Sequence, residues 1–113
     1  MDDKTFNILF IEALVQPDLD KFIAEWGTSS LFDPAPDGSP PDYDKIVIQL
    51  KHVHYLAHVT VADLRAFAGL TQAAFAEHFC IPKRTLEGWE AKGTCPSYVR
   101  LMLAQLLGIT KRP

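Results

Sequence analysis

Two basic residues stand side by side at the predicted start of a helix, in the segment CIPKRTLEGWE at residues 80–90. Pro82 is typical of a helix start, so Lys83 and Arg84 fall in the first turn. That end of a helix already carries about half a positive charge, and basic side chains are mildly unfavourable there. Its backbone N–H groups also bind anions such as phosphate. The pair therefore indicates that something negatively charged docks against this turn.

Three histidines form a second cluster with possible chemistry, in KHVHYLAH at positions His52, His54 and His58. His54 and His58 share a helix face at a spacing that suits a metal, but no carboxylate or cysteine is close enough to complete a site. We expect a half-exposed helix surface and no metal. Paired catalytic carboxylates in a supporting context, a glycine-rich phosphate loop and a nucleophile elbow are also missing, so we predict neither an enzyme nor a cofactor.

The charge of the chain is unevenly distributed, although its 113 residues carry a net charge of only −3. Residues 1–59 contain four Lys and no Arg against ten Asp plus Glu, a net charge of −6. Residues 60–113 contain seven Lys plus Arg against four Asp plus Glu, a net charge of +3. This asymmetry suggests that the C-terminal half meets an anionic partner.

Cysteine content and the N-terminus suggest a cytoplasmic protein. Cys80 and Cys95 are too few for a disulfide framework and form no C-x-x-C pair. The chain starts with acidic rather than basic residues, unlike a secretory signal. The apolar run at 8–15 is much shorter than the roughly 20 residues that span a bilayer, so we expect no membrane insertion.

Residues 1–32 read as two helices that dimerise or bind another protein. Apolar residues occupy so much of the first helix that it must be buried, against its own domain or a partner. The dimerisation prediction depends on the apolar stripe from Phe6 to Leu14, which is wide for a small monomer to cover. Pro17 is expected to start the second helix, with Leu19, Phe22, Ile23 and Trp26 facing inward.

A loop at residues 33–42 follows, with four prolines and three aspartates, and is the best candidate for a domain boundary. Residues 43–59 then form a connecting segment whose pattern fits both a helix and a strand. Its length and a preceding aspartate favour a helix, whereas its β-branched residues favour a strand.

Four short helices are predicted within residues 60–113, so the fold class is all-α. Thr60 and Asp63 suggest a capping box, and Gly69 ends that first helix. Thr71 caps the second helix, and Pro82 begins the third, which ends at Gly93. Pro96 opens the fourth helix, whose predicted apolar side contains Tyr98, Val99, Met102, Leu103 and Leu106. Short helices joined by tight turns, with a basic turn on the third, indicate a helix-turn-helix.

The segment GLTQAAFAEHFCIPKRTLEGWEAKGTCPSYVRLMLAQLLG resembles the lambda-repressor-like, Cro-type helix-turn-helix proteins (the XRE family), over about residues 60–108. The resemblance implies a helical bundle whose third helix enters the major groove of DNA. The residues that it places at or beside DNA are Gln72, against a backbone phosphate, and Lys83, Arg84, Thr85, Glu87, Gly88 and Lys92. It also implies a structural salt bridge between Arg65 and Glu90.

Two positions depart from the family pattern. Gly88 stands where a larger polar side chain often contacts a base, so base contacts would depend more on Lys83, Arg84 and Thr85. Cys80 stands where the turn usually has glycine. Cysteine is strained there if the backbone is left-handed, unless Ile81 and Pro82 reshape the turn.

The sequence thus predicts a regulator that binds double-stranded DNA sequence-specifically, acting as a repressor and as a homodimer on a two-fold site. One alternative is an antitoxin whose acidic N-terminal half covers a basic toxin while the protein represses its own operon. Another is an adaptor that keeps the helix-turn-helix but binds protein and not DNA.

Overall fold

The computed structural model describes residues 1–32 and 37–112. Throughout these residues the structure contains helices and no strands, which confirms the all-α prediction. Residues 33–36 of the predicted proline-rich loop lie outside the described residues, and 37–42 form neither helix nor strand. The described helices are α1 (Asp3–Leu14), α2 (Leu19–Trp26), α3 (Tyr43–His58), α4 (Val61–Ala68), α5 (Gln72–His78), α6 (Lys83–Lys92) and α7 (Ser97–Leu106).

The chain divides into two compact units. Unit 1 contains Met1–His58 together with Thr110–Pro113, and unit 2 contains Val59–Ile109. The sequence suggested a boundary in the loop at 33–42, but the division falls after α3. The reason is that α3 packs on α1 and α2, so its apolar face belongs to the core of unit 1.

Unit 1 is a three-helix arrangement in which α3 covers the apolar face of α1. The residues buried in it come from all three helices: Phe6, Leu9, Phe10, Ala13, Phe22, Ile46, Leu50, Val53, Leu56 and Ala57. Most of the α1 stripe is thus covered within the unit, whereas Ile11 and Val15 are exposed. The width of the stripe therefore no longer requires a second copy of the chain.

The start of α2 differs from the prediction. Asp18 rather than Pro17 begins this helix, because its carboxylate accepts a hydrogen bond from the backbone N–H of Lys21 at 3.1 Å. Pro17 precedes this N-cap and lies outside the helix. The segment left open between helix and strand is helical from Tyr43 to His58.

Thr110, Lys111 and Arg112, near the C-terminus, belong to unit 1. The backbone carbonyl of Thr110 accepts a hydrogen bond from His52 Nε2 at 2.6 Å. Lys111 Nζ lies 3.5 Å from a carboxylate oxygen of Asp3 and 5.1 Å from the centre of the Phe6 ring. The tail is therefore part of the unit 1 surface.

Unit 2 contains the four short helices α4 to α7, and local side-chain chemistry starts two of them. The Thr60–Asp63 capping box is present, as predicted, and Gly69 ends α4 in the left-handed conformation. The Thr71 hydroxyl accepts from Ala74 N at 3.1 Å and begins α5. The core consists of Val59, Val61, Leu64, Phe75, Ala76, Leu86, Cys95, Leu103 and Ala104.

None of the helices in the described residues is both long enough and apolar enough to cross a membrane.

Candidate nucleic-acid interface

A tight turn joins α5 to α6 and determines where α6 begins. Cys80 has a φ of 55°, so of the two predicted possibilities the structure has the left-handed cysteine. This conformation is unfavourable for a residue with a Cβ atom. The turn is closed by the backbone N–H of Ile81, which donates to the carbonyl of Ala76 at 2.8 Å. Pro82 is then the N-cap of α6.

Helix α6 presents a polar face to solvent along its whole length. Leu86 is fully buried and anchors the helix, while Trp89 is half-buried. Lys83, Arg84 and Thr85 are all exposed in the first turn. Pro82 has no side-chain group that could cap the first N–H groups of the helix, and no side-chain cap is formed. The beginning of α6 therefore presents two basic side chains together with uncapped backbone N–H groups.

The exposed side chains in the middle of α6 make only weak contacts with the rest of the chain. Lys83 Nζ lies 3.8 Å from a Glu87 carboxylate oxygen, and both side chains are at least half exposed. An exposed pair of this kind contributes little stability, so Lys83 can exchange Glu87 for another anion at low cost. A Cβ atom added to Gly88 would have no neighbour within 4 Å, so packing within the chain does not require glycine there.

The end of α6 is held by the Arg65–Glu90 pair. Arg65 Nη2 donates to Glu90 Oε1 at 2.9 Å, and Arg65 Nε donates to the same oxygen at 3.1 Å. The Glu90 side chain is only 10% exposed. Arg65 Nη1 also donates to the carbonyl of Leu70 at 3.2 Å, so one guanidinium joins α4, the α4–α5 turn and α6.

Gln72 belongs to this network, which sequence reasoning did not anticipate. Its Nε2 donates to Glu90 Oε2 at 3.2 Å. An amide nitrogen has two N–H groups, so a phosphate contact would use the second one. The two residues are 18 positions apart in sequence, and only the crossing of α5 and α6 brings them together.

The exposed Lys and Arg side chains of unit 2 are concentrated on one helix. Residues 59–109, all of which are described, contain five Lys plus Arg against four Asp plus Glu, a net charge of +1. Arg65 and Arg100 are partly buried, and Arg100 donates to the carbonyl of Val59 at 2.6 Å. The exposed Lys and Arg side chains are Lys83, Arg84 and Lys92, and all three lie on α6.

The histidine cluster has a structural role in unit 1, and the prediction of a half-exposed surface is wrong for His54. His54 is buried, and its Nε2 lies 2.9 Å from the carbonyl oxygen of Gln16. His58 Nε2 lies 2.6 Å from the carbonyl of Ala13. A carbonyl only accepts, so each Nε2 carries the proton and donates. The rings thereby satisfy backbone carbonyls at the end of α1.

Within the described residues, no group of three or more His, Cys, Asp or Glu side chains could hold a metal ion. No protein-family model, curated protein or solved structure matches the chain.

Proposed function

We propose that the protein is a sequence-specific regulator that binds double-stranded DNA, with a helix-turn-helix of the lambda-repressor-like, Cro-type class in unit 2. In this proposal α6 is the recognition helix and occupies the major groove. The observation that carries the proposal is that every exposed Lys and Arg of unit 2 lies on α6. An α-helix fits the width of the major groove, and the exposed Lys and Arg side chains of α6 are opposite in charge to the DNA backbone.

The exposed side chains of α6 suit distinct contacts. Arg84 has the two parallel donors that recognise guanine O6 and N7, whereas Lys83 supplies a point charge for a phosphate or a base edge. Thr85 completes the first turn, and its hydroxyl can contact a phosphate or a base edge. Glu87 and Gly88 lie along the same helix, where the missing side chain of Gly88 allows a base or a sugar to approach closely.

Two further residues would fix the orientation of α6 on the duplex. Lys92 is exposed in the last turn of α6 and suits a second backbone phosphate. Gln72 suits a phosphate through its second N–H group, while Glu90 holds the first. The Arg65–Glu90 pair supports both by holding α6 against α4.

The number of exposed Lys and Arg side chains limits how tightly one copy of the protein can bind DNA. Each neutralised phosphate contributes about −0.9 to the slope of log K against log salt. Three exposed Lys and Arg side chains per copy therefore correspond to a salt-dependence slope of about −2 to −3, which is small for a specific DNA-binding protein. Two copies on a two-fold site would double it, which favours action as a dimer on a palindromic operator.

The proposal is tested by selecting bound sites from random duplex DNA and measuring affinity for the selected site at several salt concentrations. Arg84→Ala should weaken binding by about 1–3 kcal/mol and relax the preference at one position of each half-site. Lys83→Ala should weaken binding to all sequences alike and make the slope shallower by about one per half-site.

Lys51→Ala is the matched control, because it removes the same charge from an exposed position on α3 in unit 1. This variant should bind as the parent does. If Lys83→Ala/Arg84→Ala folds normally and binds the selected site as tightly as the parent, α6 is not the recognition helix. If no duplex sequence is enriched, the proposal of sequence-specific binding fails.

A protein-binding adaptor is the second candidate function, and the low charge of unit 2 favours it. A net charge of +1 gives little non-specific attraction to DNA, and unit 1 has six Lys plus Arg against ten Asp plus Glu. An adaptor would show no salt-dependent affinity for duplex DNA in the same titrations.

A further inference from the structure

A cavity of about 560 Å³ opens on unit 1, between the first turns of α1 and α3. The segments 31–32, after α2, and 39–42, before α3, form its other walls. All of its described lining residues belong to unit 1. Proteins bind small molecules in cavities of roughly 300–1,000 Å³, so this cavity has the size of a small-molecule site.

Part of the cavity wall is apolar. Ile46 is buried, and Leu31, Phe32 and Pro41 are half-buried. The rings of phenylalanine and proline are rigid, so little side-chain entropy is lost when a flat apolar group packs against them. This wall suits the body of an aromatic ligand.

The charged side chains around the cavity are two carboxylates and one ammonium group. Asp2, Asp42 and Lys45 carry them, so the lining side chains have a net charge of −1. All three are exposed, and within the described residues none of them forms an ion pair. Unit 1 as a whole has six Lys plus Arg against ten Asp plus Glu. These charges favour a positive ligand over a negative one of the same shape.

Helix capping holds both carboxylates in place. Asp2 Oδ1 accepts a hydrogen bond from the backbone N–H of Thr5 at 2.7 Å, and Asp42 Oδ1 accepts one from Asp44 N at 3.0 Å. A carboxylate has about four lone-pair sites, so each can also accept a hydrogen bond from a ligand. Such bonds are strongest when the donor is a cation.

We infer that this cavity binds a small organic cation with an aromatic body. The ring system packs against Phe32 and Pro41, and the positive group lies against the carboxylates of Asp2 and Asp42. Lys45 opposes the charge of the ligand and limits its affinity. The inference does not depend on DNA binding and is tested in its absence.

Three naphthalene probes of similar shape separate the effect of charge from that of apolar packing. At neutral pH naphthylmethylamine is a cation, naphthylmethanol is neutral and naphthylacetate is an anion. Each is titrated into the isotope-labelled full chain, and binding is followed by the amide signals in nuclear magnetic resonance spectra. The largest shifts should fall on residues that line the cavity, such as Thr5, Leu31 and Gln49. The cation should bind at least about threefold more tightly than the neutral probe, which is the effect of one unit charge about 6 Å away in water, and the anion should bind most weakly.

Asp2→Asn/Asp42→Asn should remove the preference for the cation. Asparagine caps helices as well as aspartate does, so this variant loses the two charges but keeps both helix starts. Asp18→Asn is the matched control, because Asp18 is the N-cap of α2 and does not line the cavity. It should leave the preference unchanged. Circular dichroism establishes that every variant keeps the helical content of the parent.

Removing the lysine should have the opposite effect. Lys45→Ala should strengthen binding of naphthylmethylamine about threefold, because the like charge nearest to the ligand is gone. Lys51→Ala removes the same charge from an exposed position on α3 that does not line the cavity, and it should change the affinity less. A purely structural role for Asp42 and Lys45 would not give changes of opposite sign.

Equal binding of the cation and the neutral probe overturns the inference, as does tighter binding of the anion. It also fails if millimolar naphthylmethylamine shifts no signal from the lining residues, or if its largest shifts fall in unit 2. If Asp18→Asn removes the preference as fully as the double variant does, the general charge of unit 1 attracts the probe and the cavity is no specific site. None of these results depends on whether duplex DNA binds.

Discussion

Removing Arg65 should loosen α6, because its guanidinium joins this helix to α4 and to the α4–α5 turn. Arg65→Ala deletes two donors to the Glu90 carboxylate and the donor to the Leu70 carbonyl. Glu90 would keep Gln72 as its partner, but its side chain is only 10% exposed. A mostly buried carboxylate would thus lose the cation that compensates its charge.

The structure indicates the size of this effect. Breaking a buried ion pair by removing one partner costs about 3–5 kcal/mol. The Arg65 side chain is 28% exposed, so water can replace part of what is lost. We therefore expect a decrease of about 2–3 kcal/mol in the free energy of unfolding, with a melting temperature lower by about 10 °C or more.

Urea denaturation followed by tryptophan fluorescence measures this change. Trp89 lies on α6 and Trp26 on α2, so a Trp26→Phe background makes the signal report on unit 2. Arg65→Lys should give an intermediate loss, because lysine keeps the charge but not the planar set of donors. Arg65→Met/Glu90→Leu should recover much of the stability, because no buried charge is left unpaired.

A decrease below about 0.5 kcal/mol for Arg65→Ala would refute this reasoning. It would mean that the pair behaves as an exposed ion pair and that packing around Leu86 alone holds α6.

Further outcomes are expected at other sites. Cys80→Gly should raise the free energy of unfolding by about 1 kcal/mol in urea denaturation, because glycine adopts the left-handed conformation without strain. Gly88→Ala should add about 0.5–1 kcal/mol in the same assay, because alanine is the better helix former and has open space there. Burial raises the pKa of the Cys95 thiol, so iodoacetamide at pH 8 should alkylate exposed Cys80 well before Cys95, as mass spectrometry would show. The hydrogen bond from the Thr5 backbone lowers the pKa of Asp2, so its cap stabilises unit 1 above the usual carboxylate pKa and is lost as pH falls through the lowered value. Asp2→Asn should remove that part of the acid dependence of unfolding monitored by circular dichroism.

The sequence alone determined the features that depend on neighbours within a few residues. The Thr60–Asp63 capping box, the Thr71 cap and the glycine ends of α4 and α6 were all predicted and are present. Each involves groups no more than about four positions apart, so composition and spacing are sufficient to identify it. The all-α class followed from the same local patterns.

Tertiary structure decided which of the predicted surfaces are covered. Periodicity showed that apolar residues cover a wide arc of α1 and of α7, but it could not show how much of each helix is buried. Packing on α3 covers most of α1, whereas α7 keeps Tyr98, Met102 and Leu106 exposed.

Tertiary structure also decided the partners of the polar side chains. His54 donates to a carbonyl 38 positions away, and Gln72 reaches Glu90 across 18 positions. Such contacts form only when separate helices pack together, and residue type and local spacing carry no signal for them. The Arg65–Glu90 pair, 25 positions apart, was expected only because the segment resembles a known family. What a side chain can donate follows from its type, but which acceptor it meets follows from the fold.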